Sequence, residues 1–245
     1  MRKGKGRSKR PSKRTNEDLT QKAYNALRNM LLFNEIAIGQ KIHYLDLAEK
    51  LGMSPTPVIQ ALKWLQFQGL VRHENNRGFY LEDISIEEVD QLYQIRRSVE
   101  LTLLDRSMRR LDEAGIPRLK ASLETLLEAS RKNLPKLRLV KDMEFHLTLA
   151  SLSGGRAGCL ILQHLFDLLY LKYRTYLLML KSGDQGHKEI FDCVAAHDLD
   201  GAREILSHLI SGVGRDVVEQ LRSHQEEKAT LESMKIGLVN TLEDS

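Results

Sequence analysis

The sequence predicts a mainly α protein in two parts, a helix-turn-helix with a small hairpin followed by an antiparallel bundle of six helices. Three observations predict it. Between residues 45 and 80, two helical stretches broken at Gly52 run into two short apolar strand patterns around a polar tip. From 85 to 222, apolar residues recur at helical spacing between short polar breaks, with no strand pattern. The length of 245 residues suffices for two ordinary domains. The expected boundaries are a basic tail over 1–19, a first domain over 20–83, a helical domain over 86–228 and a C-terminal tail over 229–245.

The formal charge of +4 is unevenly placed. Residues 1–19 hold eight Lys or Arg against Glu17 and Asp18, a net +6, so the remainder carries −2. This tail is expected to be disordered in the free protein. Near DNA it can lie along phosphates and add salt-dependent affinity, or it serves only to keep the chain soluble. It has no apolar segment and does not read as a signal peptide. No later stretch supplies the roughly 18 uninterrupted apolar residues of a membrane span. Cys159 and Cys193 are too few for a disulfide framework and suit a reducing cytoplasm, the expected location.

A first helix is expected from about residue 20, with Ala23, Leu27 and Leu31 facing inward. A short helix follows over 46–51. Ser54 can cap the next one, whose Pro55 and Pro57 sit where backbone N–H groups have no helical partner. Val58, Ala61, Leu62 and Leu65 form its buried stripe, leaving Thr56, Ile59, Gln60 and Lys63 outward or partly so. The chain turns at Gln68-Gly69, and two short strands then flank the polar tip over 73–78. Such a unit offers one helix sized for a major groove and one loop placed to meet backbone or minor groove.

Beyond a linker over 82–85, Ser85 with Glu87 and Glu88 marks a helix start, because acidic groups favour the positive end of the helix dipole. Helices are expected over 86–111, 116–130, 135–152, 157–180, 187–196 and 202–222. On the first, Val89, Leu92, Ile95 or Arg96, Val99 and Leu103 share a face. The fourth carries the densest apolar run, interrupted by His164.

Asp142 and His146 are four apart and share one helical face, His187 opens the fifth helix, and His208 sits in the last. A bundle can bring one carboxylate and three imidazoles around a cavity, a donor set suited to zinc, nickel, manganese or iron. For any single histidine, a hydrogen-bonded core or surface position is the competing reading. His164 competes as a ligand or an effector contact. His43 and His73 belong to the first domain, His197 lies in a turn, and His224 lies near the end of the last helix.

With these residues laid out, the chain resembles GntR-type transcription regulators with a FadR-like C-terminal (FCD) ligand-binding domain. The resemblance runs through 47–54, Thr56-Pro57-Val58, Ala61-Leu62, Leu65, Gly69-Leu70-Val71 and Arg77-Gly78. In the second part it runs through Arg96 with Glu100, the stretch 142–146, and the His187, Asp198, Ala202, His208 series. Six helices are similar to the VanR-like branch. The resemblance implies Asp142, His146, His187 and His208 as ligands of a divalent metal, zinc first, with nickel, manganese or iron as alternatives. That metal would be structural and would orient an effector carboxylate. Arg96 is the candidate to meet the effector's charge, or else pairs with Glu100 within its helix; Tyr173 and Arg174 are further candidates.

Where the family commonly has arginines, this chain has Leu45, Pro55 and Ile59, none of which can form a bidentate contact to guanine or phosphate. Thr56, Gln60 and Lys63 remain as groove contacts, Asn75, Asn76 and Arg77 as wing contacts, and Lys41 as a source of positive charge. The implied function is a homodimeric regulator of double-stranded DNA, a repressor relieved by a small organic acid, with no membrane association. One alternative is a winged helix that does not read sequence; another is a metal-dependent enzyme using the same four residues.

Overall fold

The structure, a computed structural model, describes residues 16–32, 35–36, 39–81, 85–179 and 183–243, without the side chains at 16–17, 32, 172, 174–175, 179, 228 and 231–243. Residues 1–15 of the expected basic tail, the linker at 82–84, the Arg174 side chain and the side chains of nearly all the C-terminal tail therefore lie outside the described residues. The chain divides into two compact units, 1–82 and 83–245.

In the first unit, α1 (Asn16–Leu32) starts earlier than the expected residue 20 and packs on α3 (Pro55–Phe67). Ala23, Leu27 and Leu31 meet Val58, Ala61, Leu62 and Leu65 in a core from which water is excluded. Each leucine or valine buried there contributes about 1.5–3 kcal/mol before the entropy cost of ordering it. Between these helices in the chain comes α2 (Tyr44–Lys50), and Gly52, at φ +62°, makes the left-handed turn into α3. Ser54 occupies the position before α3 in extended backbone, but its side chain makes no capping bond. The reason lies three residues on. A capping oxygen commonly takes the N–H of the third helical residue, and that residue is Pro57, which has none.

The hairpin consists of β2 (Val71–Glu74) and β3 (Gly78–Leu81), with Asn76 at φ 61° in its tip. The sequence reading missed β1 (Lys41–Ile42), which pairs antiparallel with the other edge of β3, placing Ile42 opposite Phe79 and giving the order β1-β3-β2. Two residues are too few for a period of two to be visible.

The second unit is helical throughout the described residues: α4 (Ile86–Arg110), α5 (Gly115–Arg131), α6 (Pro135–Ser151), α7 (Arg156–Phe166), α8 (Lys172–Met179), α9 (Asp184–Ala195) and α10 (Leu199–Glu243). Ser85 caps α4 by accepting from the Glu88 N–H. On α4, Val89, Leu92, Arg96 and Leu103 are buried while Ile95 is exposed, so the inward position is Arg96. The expected fourth helix is interrupted by a π-helical segment, Asp167–Leu171, between α7 and α8. The wider turn inserts a residue, so that Asp167, Leu169, Tyr170 and Leu171 all become buried. The last helix runs to Glu243 rather than ending near 222. It packs on α4 and α9, while its described side chains from Arg222 onward are exposed.

Candidate metal centre and nucleic-acid interface

Asp142 and His146 project from one face of α6, one turn apart, and His187 reaches them from the first turn of α9. His187 Nε2 lies 3.1 Å from Asp142 Oδ1 and 3.3 Å from His146 Nε2. One ligand atom from each residue falls within 4.8 Å of the others. The outer ring nitrogens are also held. His146 Nδ1 sits 2.7 Å from Glu100 Oε2, and His187 Nδ1 sits 2.9 Å from the Gly183 carbonyl oxygen. A carboxylate and a carbonyl only accept, so both Nδ1 atoms carry hydrogen. This assignment comes from the partners and leaves both Nε2 atoms facing one point beside a carboxylate.

Two imidazole lone pairs cannot face each other at 3.3 Å without a cation between or beside them. In the metal-free protein that cation is a proton. Burial pushes the His187 pKa down, but the Asp142 bond and charge, helped by the Gly183 carbonyl, outweigh it and hold the pKa above its usual value. A divalent ion satisfies the same demand. The residues therefore fit a metal, with the histidine orientation fixed from outside as metal-binding imidazoles require.

Around this point the interior is strongly charged. Arg96 Nε donates to Glu100 Oε1 at 2.6 Å, and its guanidinium stacks 4.7 Å from the Phe166 ring centre. Burial alone would raise the Glu100 pKa; the charges of His146 and Arg96, with their hydrogen bonds, bring it down to about 2. Burial likewise opposes ionisation of Asp142, yet the His187 bond and charge, His146 and Arg96 hold its carboxyl well below the usual range. Tyr170, aimed inward from the π-helical segment, donates its hydroxyl to Asp142 Oδ2. A cavity of about 30 Å³ opens beside these groups, lined also by Arg138 and Leu209. Its size is that of about one water molecule.

His208 does not join the three, which corrects the expectation of a four-residue set: it is exposed on α10. The neighbouring residue, Leu209, lines the cavity instead, about 100° further round the helix. The Leu209 side chain lies 3.1 Å from where a Cβ on Gly183 would stand, so the absence of a side chain there allows the close approach. Tyr173 is buried and its hydroxyl has no hydrogen-bond partner among the described residues, but it does not line this cavity. His164 is half-buried and outside the cluster. Tyr170, Arg138 and Leu209 had no signal in the sequence, since their role depends on how separate helices are rotated. Glu100 had one: it lies one turn from Arg96 on a helix start to finish.

In the first unit, Thr56, Gln60 and Lys63 are exposed on α3, Asn75, Asn76 and Arg77 at the wing tip, and Lys41 on β1. Gln60 Oε1 accepts from the buried Thr20 hydroxyl at 2.8 Å, and Arg77 stands 3.6 Å from Glu74. Lys41, His43, Leu45, His73 and Arg77 line a groove of about 370 Å³ between α2 and the wing.

Residues 19–81 match the model of the bacterial regulatory proteins of the gntR family, and residues 91–212 match the FCD domain. An HTH-type transcriptional regulator from an unstable DNA locus of Streptomyces ambofaciens is 30% identical over 209 residues, covering 83% of this chain and 86% of that protein. This chain belongs to the GntR family. The regulator YdhC of Bacillus subtilis is 25% identical over 195 residues, covering 76% of this chain and 85% of its own length. The solved structure of E. coli McbR/YncC superimposes with a TM-score of 0.75 at 21% identity, covering 83% of this chain and 98% of that one, a likeness of fold. This GntR protein is thus a DNA-binding transcription regulator with a helical FCD domain, and its similarities are to regulators rather than enzymes. Among the described residues no helix is long and apolar enough to cross a membrane.

Proposed function

We propose that this regulator senses a small organic acid beside a divalent metal held by Asp142, His146 and His187, and that effector binding lowers its affinity for operator DNA. The observation that supports it is the convergence of two Nε2 atoms and a carboxylate oxygen, with both outer ring nitrogens already held by Glu100 and Gly183. Three protein ligands leave coordination positions open, and zinc, nickel, manganese and iron all accept this donor set. The bound ion would supply positive charge to an effector carboxylate. Arg96 from within and Arg138 on the cavity wall would supply more.

The protein acts in the cytoplasm as a homodimer joined through its helical units, presenting two winged helices to an inverted repeat, and stands nearest the VanR-like branch of its family. The effector shifts the balance between two placements of the winged helices only to the extent that it binds one state more tightly. Calorimetric titration with each of the four metals, followed by operator affinity measured with and without a panel of mono- and dicarboxylic acids, tests this reading. One ion per chain and an operator Kd that rises several-fold only with metal and acid together are expected. Absence of metal binding, or effector binding with no change in operator affinity, overturns it. A second reading is a winged helix that binds DNA through charge alone. It is favoured by the missing arginines at Leu45, Pro55 and Ile59, and steep salt dependence with no sequence preference would establish it.

A further inference from the structure

We infer that the face formed by α2 and α3 reads the C5-methyl groups of thymine, with Gln60 pairing to adenine, so that its half-site is rich in A·T pairs. The inference rests on the DNA-binding function and names what that surface recognises. Pro55, Thr56, Ile59, Gln60 and Lys63 follow one another at spacings of one, three, one and three, and therefore occupy one side of α3. Of these, Pro55 and Thr56 are exposed and Ile59 is half-buried. At the start of α2, Leu45 stands 58% exposed although its neighbours Leu47 and Ala48 are buried. The fold thus leaves Leu45 and part of Ile59 in water on the unit that carries the DNA-binding function. Lys41 and Arg77 line the groove that Leu45 also borders, where their charges suit phosphates.

The chemistry of the major groove narrows the choice. The apolar feature that base pairs present there is the thymine methyl, whereas guanine is read by paired donors from arginine or lysine. The first two turns of α3 hold neither of those residues, and Lys63 enters only in the third. Gln60 adds the complementary half of an A·T pair. Thr20, buried beneath it, donates to Oε1 and anchors that end of the amide. Oε1 retains a second lone pair and Nε2 its hydrogens, the acceptor and donor that adenine N6–H and N7 require.

The test uses the full-length protein. Duplexes are selected from a random pool at near-physiological salt, and the thymines of the selected half-site are then replaced one at a time by deoxyuridine, which removes only the methyl. The expected result is an A·T-rich half-site in which each contacted methyl, when removed, weakens binding about fourfold, the worth of one buried methyl-sized group. Ile59→Ala should abolish the response at one thymine while leaving the others. Leu45→Ala, at an exposed position, serves the same purpose should the α3 variant fail to fold. Placing 5-methylcytosine at a G·C pair separates methyl reading from A·T reading, since Gln60 then has no adenine. Equal affinity for thymine and deoxyuridine duplexes, or a half-site with fixed guanines and no methyl dependence, overturns the inference and leaves the DNA-binding function standing. Failure to bind any duplex would remove both.

Discussion

Inside the helical unit Arg96, Glu100, His146 and His187 are each no more than 4% exposed, and each has a fixed partner; on α3 and the wing, Thr56, Lys63, Asn75, Asn76 and Arg77 stand in water. The difference follows from what each surface must meet. A small ion or acid provides few contacts, so its site has to be assembled beforehand by neighbours that desolvate and orient it. A duplex provides many contacts over a wide area, and exposed side chains that settle on binding are sufficient. Substitutions at the inner site should therefore change folding stability, and those at the outer one should not.

Breaking the inner network gives the largest expected effect. Glu100→Ala leaves the Arg96 guanidinium and the His146 imidazole buried without their acceptor. Removal of one partner of a buried pair costs about 3–5 kcal/mol, to be read from chemical denaturation. Next, His187→Ala should weaken metal affinity by more than about 100-fold, since even a partner outside the ligand set is worth 10–100-fold. His208→Ala should leave it unchanged, because that side chain is exposed and apart from the cluster. Calorimetric titration of both variants separates a three-residue from a four-residue site.

The pH response sharpens the same contrast. The His187 pKa is raised in the folded, metal-free protein, so its contribution to stability is full below the unfolded value of 6.5 and is lost as pH rises through the folded value. A metal needs the ring unprotonated, so its affinity runs the opposite way. The stability added by saturating zinc should therefore grow from about pH 6 to pH 8, approaching roughly 2.7 kcal/mol when zinc is at 100 times its Kd. Thermal unfolding with zinc and with chelator across that range measures it. A zinc increment that shrinks with rising pH would exclude histidine ligation. The lowered pKa of Glu100 acts in acid: its stabilisation is present above the unfolded value of 4.5 and is lost as pH falls toward about 2.

The smallest effect belongs to the outer surface. Lys63→Ala should weaken DNA binding about equally across sequences and reduce the salt slope by about one, while unfolding stability changes by less than about 0.5 kcal/mol. Binding isotherms at several salt concentrations check it. A stability loss above that range would mean that Lys63 holds the unit together and would blur the distinction between the two surfaces.

Much of the fold was legible because one residue spacing decides one face. Ala23, Leu27 and Leu31, and the stripe from Val58 to Leu65, read correctly as core, since a helix that buries a face repeats apolar residues every three or four positions. The same rule left Ile95 and Arg96 undecided, because adjacent residues differ by only a fraction of a turn. Packing on neighbouring helices resolved them in favour of the arginine. It also did not fix which way His208 points, and on α10 that side chain is exposed while the next residue, Leu209, lines the cavity. A histidine on a helix says that an imidazole is available, but its direction depends on the rotation of that helix against its neighbours.

By itself the sequence determined the order of the helices, the turn at Gly52, the presence of Leu45, Pro55 and Ile59 rather than arginine at those positions, and the Asp142–His146 pair, all consequences of local spacing and residue type. Only the tertiary structure brought His187 to the Asp142–His146 pair and left His208 exposed outside it. It alone also decided that Glu100 links Arg96 to His146, and that a π-helical turn aims Tyr170 at Asp142. The physical reason is that a helix's periodicity defines its own faces, whereas the point where three helices meet is defined by side-chain packing between segments that the sequence keeps dozens of residues apart.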